Sequence, residues 1–468
     1  MSRFSLELDQ NKYLSSSDTH VHAVLTVCAE DTSVPGTTPP AGAEVLLIDC
    51  SSSMGWPPTK IAAARRAAAA AIDVLPEGTR FAVVEGTGAA RMCYPATETL
   101  VVADENTRAE AKAAANRLIA SGGTAMSTWL SLAGRLFEAH PDTVRHALLL
   151  TDGRNESESP VRLSGVLGEV EGRFTCDARG IGDDWEPEEL RRIAAALRGT
   201  ADAVVDESRL AEHFRELIGS SVARTVPDLR LRIGVAPHAR ISFLRQVAPV
   251  ETELVKDADH GIELSTGAWG DECREYHLCL EVDLADLPHD QDQELGWVEL
   301  VPVTQDTRVP AGPARLLGHI TGDLALSAPL HEKVEHYTVQ GELGQRLRAG
   351  WARFRANDRD GAAAEWGEAA RLAVRLGNDE VLARLRRIAD IEDAAASRLR
   401  IKDEVQPRNA MSVALTNPSS ELSDVDREPA GNTVAEGDPL ACPNCSLLSP
   451  AGAAVCMHCG HRFAEPSR

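Results

Sequence analysis

Residues 44–55 read Glu-Val-Leu-Leu-Ile-Asp-Cys-Ser-Ser-Ser-Met-Gly, an apolar run of strand length that stops on an aspartate. Two serines follow at the second and fourth positions after it, then a glycine, then a segment with helical character. In open α/β sheets, ligands bind outside the carboxyl ends of the strands, and Asp49, Ser51 and Ser53 stand there. They offer one carboxylate and two hydroxyls, all hard oxygen donors. Mg²⁺ takes octahedral oxygen, keeps several waters and accepts only one or two protein carboxylates. The trio reads as part of a divalent-metal site left open for a partner's oxygen. Taken alone, Asp-x-Ser-x-Ser reads equally as a helix N-cap or a serine-rich turn.

Two later stretches favour the metal. Ser121-Gly122-Gly123-Thr124-Ala125-Met126-Ser127 places a threonine hydroxyl between a double glycine and a helix, and Ala147-Leu148-Leu149-Leu150-Thr151-Asp152-Gly153 is a second buried strand ending on an aspartate. In order and spacing these stretches resemble the von Willebrand factor type A domain. That family builds a metal-ion-dependent adhesion site from Asp-x-Ser-x-Ser, a distant Thr, and an Asp in a Thr-Asp-Gly turn. The resemblance implies Mg²⁺ or Mn²⁺ held by Asp49, Ser51, Ser53, Thr124 and Asp152. By the family pattern Ser51, Ser53 and, in one state, Thr124 touch the metal directly, while the two carboxylates act mainly through waters.

Around this centre the period of the sequence changes. Residues 43–223 alternate apolar strands with helical segments, which predicts a doubly wound, mainly parallel α/β sheet. Residues 226–328 alternate with period two, as in Leu229-Leu231-Ile233-Val235, and predict an antiparallel β domain. Residues 1–35 hold two strand patterns with no partner of their own. Two strands alone are marginal in water, so they are expected to join the later β domain. The metal-bearing domain would then be an insertion in a β-sandwich. Residues 331–402 predict a helical bundle. Trp351–Leu376 has a tetratricopeptide look, but one such pair falls short of the three repeats an array needs. The third of these helices is expected over Val381–Leu399. Residues 403–440 carry eight Asp/Glu against two Arg and no aromatic residue, and read as a disordered acidic linker.

Residues 441–468 hold Cys442-x-x-Cys445, ten intervening residues and Cys456-x-x-Cys459. Four thiolates in two such knuckles hold tetrahedral zinc, and the spacing resembles short bacterial zinc ribbons. So short a tail cannot build a core, and Zn²⁺ would supply the fold. The other six cysteines, at 28, 50, 93, 176, 273 and 279, are scattered in apolar runs and read as buried thiols of a reducing cytoplasm.

A net charge of −23 over 468 residues argues against general affinity for nucleic acid or an anionic membrane. The first residues lack an apolar signal core, and no run approaches the ~20 residues of a membrane helix. These features predict a cytoplasmic chain, and its richness in alanine, with arginine favoured over lysine, suggests a bacterial one. Nothing supplies a nucleophile–base pair. His146 begins an apolar strand and reads as a structural histidine, and His20 and His22 read as a solvated pair. The expectation is a non-enzymatic scaffold whose metal binds an Asp or Glu carboxylate of a protein partner. Docking onto an ATPase or chelatase-type machine is the alternative, and nucleic-acid binding through the zinc ribbon ranks last.

Overall fold

The computed structural model describes residues 2–32, 42–285, 287–303, 307–327, 331–419, 440–441 and 448–449. The zinc-ribbon cysteines Cys442, Cys445, Cys456 and Cys459 lie outside the described residues. The chain divides into a large unit, Met1–Ser420, and a small one, Glu421–Arg468.

The large unit opens with strands β1 (Ser2–Gln10), β2 (Tyr13–Leu14) and β3 (His20–Glu30). The α/β region follows: β4 (Ala43–Asp49), α1 (Thr59–Asp73), β5 (Arg80–Gly86), β6 (Ala90–Tyr94), β7 (Val101–Val102), α2 (Glu105–Ala115), α3 (Met126–Glu138), β8 (Arg145–Thr151), α4 (Pro160–Val170), β9 (Thr175–Ile181), α5 (Pro187–Ala196), β10 (Ala201–Val204) and α6 (Leu210–Val222). Then come β11 (Leu229–Val235), β12 (Ala239–Ala248), β13 (Thr252–Ala258), β14 (Ile262–Ser265), β15 (Glu272–Val282), β16 (Asp292–Pro302), β17 (Thr307–Arg308) and β18 (Ala314–Ile320). The last part holds α7 (Leu324–Ser327), α8 (Glu332–Arg355), α9 (Arg359–Arg375), α10 (Asp379–Ile388), β19 (Ala389–Asp393), β20 (Arg398–Ile401) and α11 (Pro407–Ala414). In the small unit, β21 (Leu440–Ala441) pairs antiparallel with β22 (Leu448–Ser449).

The α/β sheet runs β10-β9-β8-β4-β5-β6, with β7 added beside β5. Pairing is parallel from β10 through β5 and antiparallel beyond. Every residue of β4 is buried, because helices cover both faces of the sheet. One core packs α3, α4 and α5 residues such as Trp129, Phe137, Leu163 and Leu190 against Val45, Leu47 and Leu149. The other packs the alanine face of α1 with Phe214 and Ile218 of α6 against Leu46, Ile48 and Leu150. Helix α2 starts on Asp104, which accepts from Thr107 N at 2.8 Å while Thr107 Oγ1 accepts from Asp104 N, a reciprocal cap. The strand order reverses at β4: β5 lies on one side of it and β8 on the other. A ligand crevice belongs at the carboxyl ends of these two strands.

Strands β1 and β3 enter a six-stranded sheet ordered β13-β12-β15-β3-β1-β17, and β2 closes a five-stranded sheet ordered β14-β11-β16-β18-β2. Phe4, Leu25 and Leu278 of the first sheet meet Leu231, Val298 and Leu316 of the second in one core. The α/β region is therefore inserted between β3 of the six-stranded sheet and β11 of the five-stranded one. Helix α8 covers the outer face of the six-stranded sheet, where Val334 and Tyr337 pack on Val24 and Val247. Lys333 reaches Asp9 at 3.0 Å and Glu275 at 3.2 Å.

Three expectations are corrected. The scattered cysteines are not all thiols: Cys28 and Cys273 form a disulfide, because β3 and β15 pair in a register that sets these residues directly opposite each other, 245 positions apart in sequence. Cys50, Cys93, Cys176 and Cys279 are free. The third helix stops at Ile388 and gives way to the β19–β20 hairpin. There an acidic strand faces a basic one: Arg400 pairs with Asp390 at 2.6 Å and Arg398 with Asp393 at 2.7 Å. Cross-strand charge pairing overrides the helix propensity of the alanines between them. Residues 403–419 of the supposed disordered linker are ordered. Met411 and Leu415 of this stretch insert into the α/β core, and Ala410 and Val413 into the helical one; that burial outweighs a polar composition. Residues 420–439 lie outside the described residues.

One packing detail sits directly beneath the crevice. A Cβ on Gly86, which pairs with Asp49 across β5 and β4, would lie 2.6–2.9 Å from Trp129 ring atoms. Trp129 donates its indole N–H to Thr87 O at 2.7 Å and cannot shift without breaking that bond. Gly86→Ala is expected to lose about 1–3 kcal/mol by overpacking, read as a lower urea midpoint with an unchanged m-value.

Candidate metal site at the switch point of the sheet

Asp49 ends β4 and its side chain is fully buried. Both carboxylate oxygens are held: Ser51 N donates to Oδ1 at 2.7 Å and Thr151 Oγ1 to Oδ2 at 2.5 Å. The chain then turns through a short 3-10 segment, Ser52–Gly55, which carries Ser51 and Ser53 over the strand ends. Their hydroxyls lie 2.9 Å apart, and Ser53 Oγ donates to Asp152 Oδ1 at 2.6 Å. The loop bearing Thr124 is tied to the same turn by Ser121 N to Cys50 O at 2.6 Å and Ser52 N to Gly122 O at 2.9 Å. Gly122 adopts φ +82°, which glycine takes without strain. From the other side, Thr124 N donates to Ser157 Oγ at 3.0 Å.

The structure brings all five sequence-predicted residues, Asp49, Ser51, Ser53, Thr124 and Asp152, to one place. Their point of convergence is marked by Gly153. A Cβ there would stand 3.2 Å from Thr124 Oγ1, 3.3 Å from Ser53 Oγ and 3.8 Å from Ser51 Oγ. Three hydroxyl oxygens thus face one small space that glycine leaves free, with two carboxylates behind them. This donor set of hard oxygens with two carboxylates fits Mg²⁺ or Mn²⁺. Among the described residues no group of three or more His, Cys, Asp or Glu could hold a metal, so hydroxyls are essential to this candidate.

Burial pushes the Asp49 carboxyl up to about 6, against the hydrogen bonds from Ser51 and Thr151, with Asp152 adding to the rise. A proton then competes with the cation. Metal affinity is expected to be level above about pH 6 and to fall by about tenfold per pH unit below it, as read by calorimetric titration with Mn²⁺.

Several partners were not legible. Lys60, in the first turn of α1, is buried and donates to Asp152 Oδ2 at 2.7 Å. A cation opposes the helix dipole at that end, and this mismatch was the one signal available. Its stem runs under Gly182, where a Cβ would meet Lys60 Cε at 2.8 Å. Thr151, read only as part of the turn, fixes Asp49. Helix α3 has no cap of its own at Ala125; Asn155 Oδ1 accepts from Met126 N at 2.9 Å and Glu158 Oε1 from Ser127 N at 2.9 Å, which holds the start of the helix beside Thr124. At the rim, Trp56 is 79% exposed and Ile119 68% exposed.

Away from the site, His146 is a satisfied structural histidine: Nδ1 lies 2.7 Å from Glu44 Oε2 and Nε2 3.0 Å from Asp177 Oδ2. His20 is exposed, but His22 does not pair with it; His22 Nδ1 lies 2.9 Å from Nε2 of the buried His277. Among the described residues, no helix is long and apolar enough to cross a membrane.

Residues 44–203 match the signature of the von Willebrand factor type A domain. A crystal structure, that of the ArnB paralog VWA2 from Sulfolobus acidocaldarius, is 14% identical with a TM-score of 0.51 over 88% of this chain and 97% of its own, and shares the fold. An uncharacterized protein of Synechocystis sp. is 28% identical over 216 residues, 45% of this chain and 49% of that protein; the chain spans about half the length of this curated relative. The solved von Willebrand factor type A protein from Catenulispora acidiphila is 39% identical, with a TM-score of 0.80, over 89% of this chain and 97% of its own. Identity at that level across nearly the whole of a solved relative assigns the chain to the von Willebrand factor type A family.

Proposed function

We propose that this chain is a non-catalytic scaffold that grips a protein partner through a divalent cation held at Asp49, Ser51, Ser53, Thr124 and Asp152. The observation that carries the reading is the convergence of three hydroxyls on the space left by Gly153, with the carboxylates set behind them. When bound, Mg²⁺ or Mn²⁺ supplies a Lewis-acidic position suited to an Asp or Glu oxygen from the partner. The protein's part is to hold that position. Thr151 and the Ser51 amide fix Asp49, Lys60 and Ser53 fix Asp152, and neutral hydroxyls in front leave the cation's charge largely uncancelled. The exposed Trp56 beside the loop suits a protein partner, since interfaces favour tryptophan anchors. A second metal, Zn²⁺ on Cys442, Cys445, Cys456 and Cys459, rests on their spacing alone.

The test is affinity capture from the native extract with wild type and Asp49→Ala, each in Mg²⁺ and in chelator. Partners retained only by wild type in Mg²⁺ support the reading. Identical partners in all four conditions would overturn it.

A further inference from the structure

A cavity of about 500 Å³ lies elsewhere, walled by α5 and the start of β10, the β12–β13 turn, and helices α8, α10 and α11. Its size suits a small molecule. Some of its charged groups are already committed. Arg179 donates to Thr200, and Arg384 pairs with Asp202 at 2.7 Å and with Glu380 at 2.7 Å. Arg245 lies 3.6 Å from Glu253 and stacks on Phe243.

Two lining groups are not. Glu251 Oε2 is buried and has no hydrogen-bond partner, although hydrogen bonds between its own backbone N–H and Asn417 Oδ1 (3.0 Å), and between Asn417 Nδ2 and Pro249 O (2.7 Å), hold its loop in place. Arg348, half-buried on α8, has no hydrogen-bond or ion-pair partner among the described residues. The two flank one point. A Cβ on Gly344 would lie 3.0 Å from Arg348 Nη1 and 3.2 and 3.3 Å from the Glu251 oxygens. Even so, they form no ion pair with each other. A buried unpaired carboxylate is costly, and burial pushes Glu251 up to about 7 despite Arg348, Arg245 and Arg191 nearby. Arg191 reaches the same cavity from α5, where it pairs with Glu188 and keeps its other guanidinium N–H groups for a ligand. No aromatic ring lines the space among the described residues.

We propose that this cavity binds a small zwitterion of amino-acid or dipeptide size, its ammonium on Glu251 and its carboxylate on Arg348 and Arg191. A carboxylate matches the planar guanidinium fork, and an ammonium gives Glu251 Oε2 the donor it lacks. Bound across α5, the β12–β13 turn and α8, the ligand would join the α/β region, the sandwich and the helices.

The test uses the full chain and calorimetric titration with free amino acids and glycyl dipeptides, one at a time. At least one is expected to bind in the millimolar range or tighter. Its N-acetyl and amide derivatives, each lacking one charge, are expected to bind about 10- to 100-fold more weakly. Glu251→Gln should abolish the discrimination against the N-acetyl form, and Arg348→Met should reduce that against the amide, with Arg191 left in place. Gly344→Ala, which fills the gap, should weaken binding of the free compound. Glu251→Gln preserves shape and removes a buried charge, so the test does not hinge on a variant that fails to fold. Absence of binding by every compound, or unchanged selectivity in Glu251→Gln and Arg348→Met, would overturn the proposal.

Discussion

Asp152→Ala is expected to lower folding stability in chelator by about 3–5 kcal/mol, because it leaves the Lys60 ammonium buried without a partner. Lys60 and Asp152 are both buried and lie 2.7 Å apart, and no second carboxylate takes the lysine among the described residues. The cost comes from stranding one charge; the net worth of the pair is much smaller. Lys60→Met combined with Asp152→Ala should therefore recover most of the loss, since removing both members of a buried pair is often close to neutral. Denaturation of the two single variants and the double variant gives the coupling directly. Metal binding separates the two roles of Asp152. The double variant should be stable but blind to Mg²⁺, whereas Lys60→Met alone should keep its dependence on Mg²⁺ and strengthen it, because the cation no longer shares Asp152 with an ammonium. Equal stability for Asp152→Ala and wild type would show that the pair is not buried in solution.

His146→Leu is expected to be at least as disruptive, by about 3–5 kcal/mol. The imidazole stands between Glu44 on β4 and Asp177 on β9, and Ser221 on α6 donates to the other Glu44 oxygen at 2.6 Å. Without the histidine, two buried carboxylates confront each other across the central strands. Burial alone would lower the His146 pKa, but the charge of Glu44 and the hydrogen bonds to Asp177 and Glu44 raise it to about 9. Burial alone would raise the Asp177 carboxyl, but its hydrogen bond and charge interaction with His146 hold it far below the usual carboxylate range.

The signs follow from linkage. A histidine raised in the folded state contributes fully below its unfolded value near 6.5, and that contribution fades as pH climbs to about 9, on the order of 3 kcal/mol in all. The depressed Asp177 contributes above its unfolded value near 4 and is lost as pH falls. Wild-type stability should thus decline between about pH 6.5 and 9, and His146→Leu should show no such decline. A wild-type profile flat across that range would mean that His146 is neutral in the fold.

The metal centre was legible because its parts are local. A strand that is apolar throughout can only sit inside a covered sheet, and the residues just past its end must then lie at the carboxyl edge. Asp49, Ser51 and Ser53 follow from one such strand and Asp152 from another, while Gly122 and Gly123 mark the turn that carries Thr124. Alternation of strand and helix patterns likewise indicates a parallel sheet with helices. The supports were hidden. Lys60 opens an alanine-rich helix, and its burial depends on Gly182, more than a hundred residues later, leaving room for its stem.

Long-range pairing accounts for the other misreadings. Cys28 and Cys273 are oxidisable partners only because two strands far apart in sequence meet in one register. The alanines of residues 394–396 favour a helix until acidic and basic residues on either side pair across a turn. Met411 and Leu415 lie in a polar stretch that looks unable to fold, and the α/β core, built by other segments, gives them a place to bury. Sequence by itself determined the kind of each long element and the chemistry at the ends of two strands, since both depend on neighbours within a few residues. Tertiary structure alone decided which charges face each other in the interior, which thiols join, and which polar-looking segments become core, because burial is a property of what the rest of the chain brings alongside.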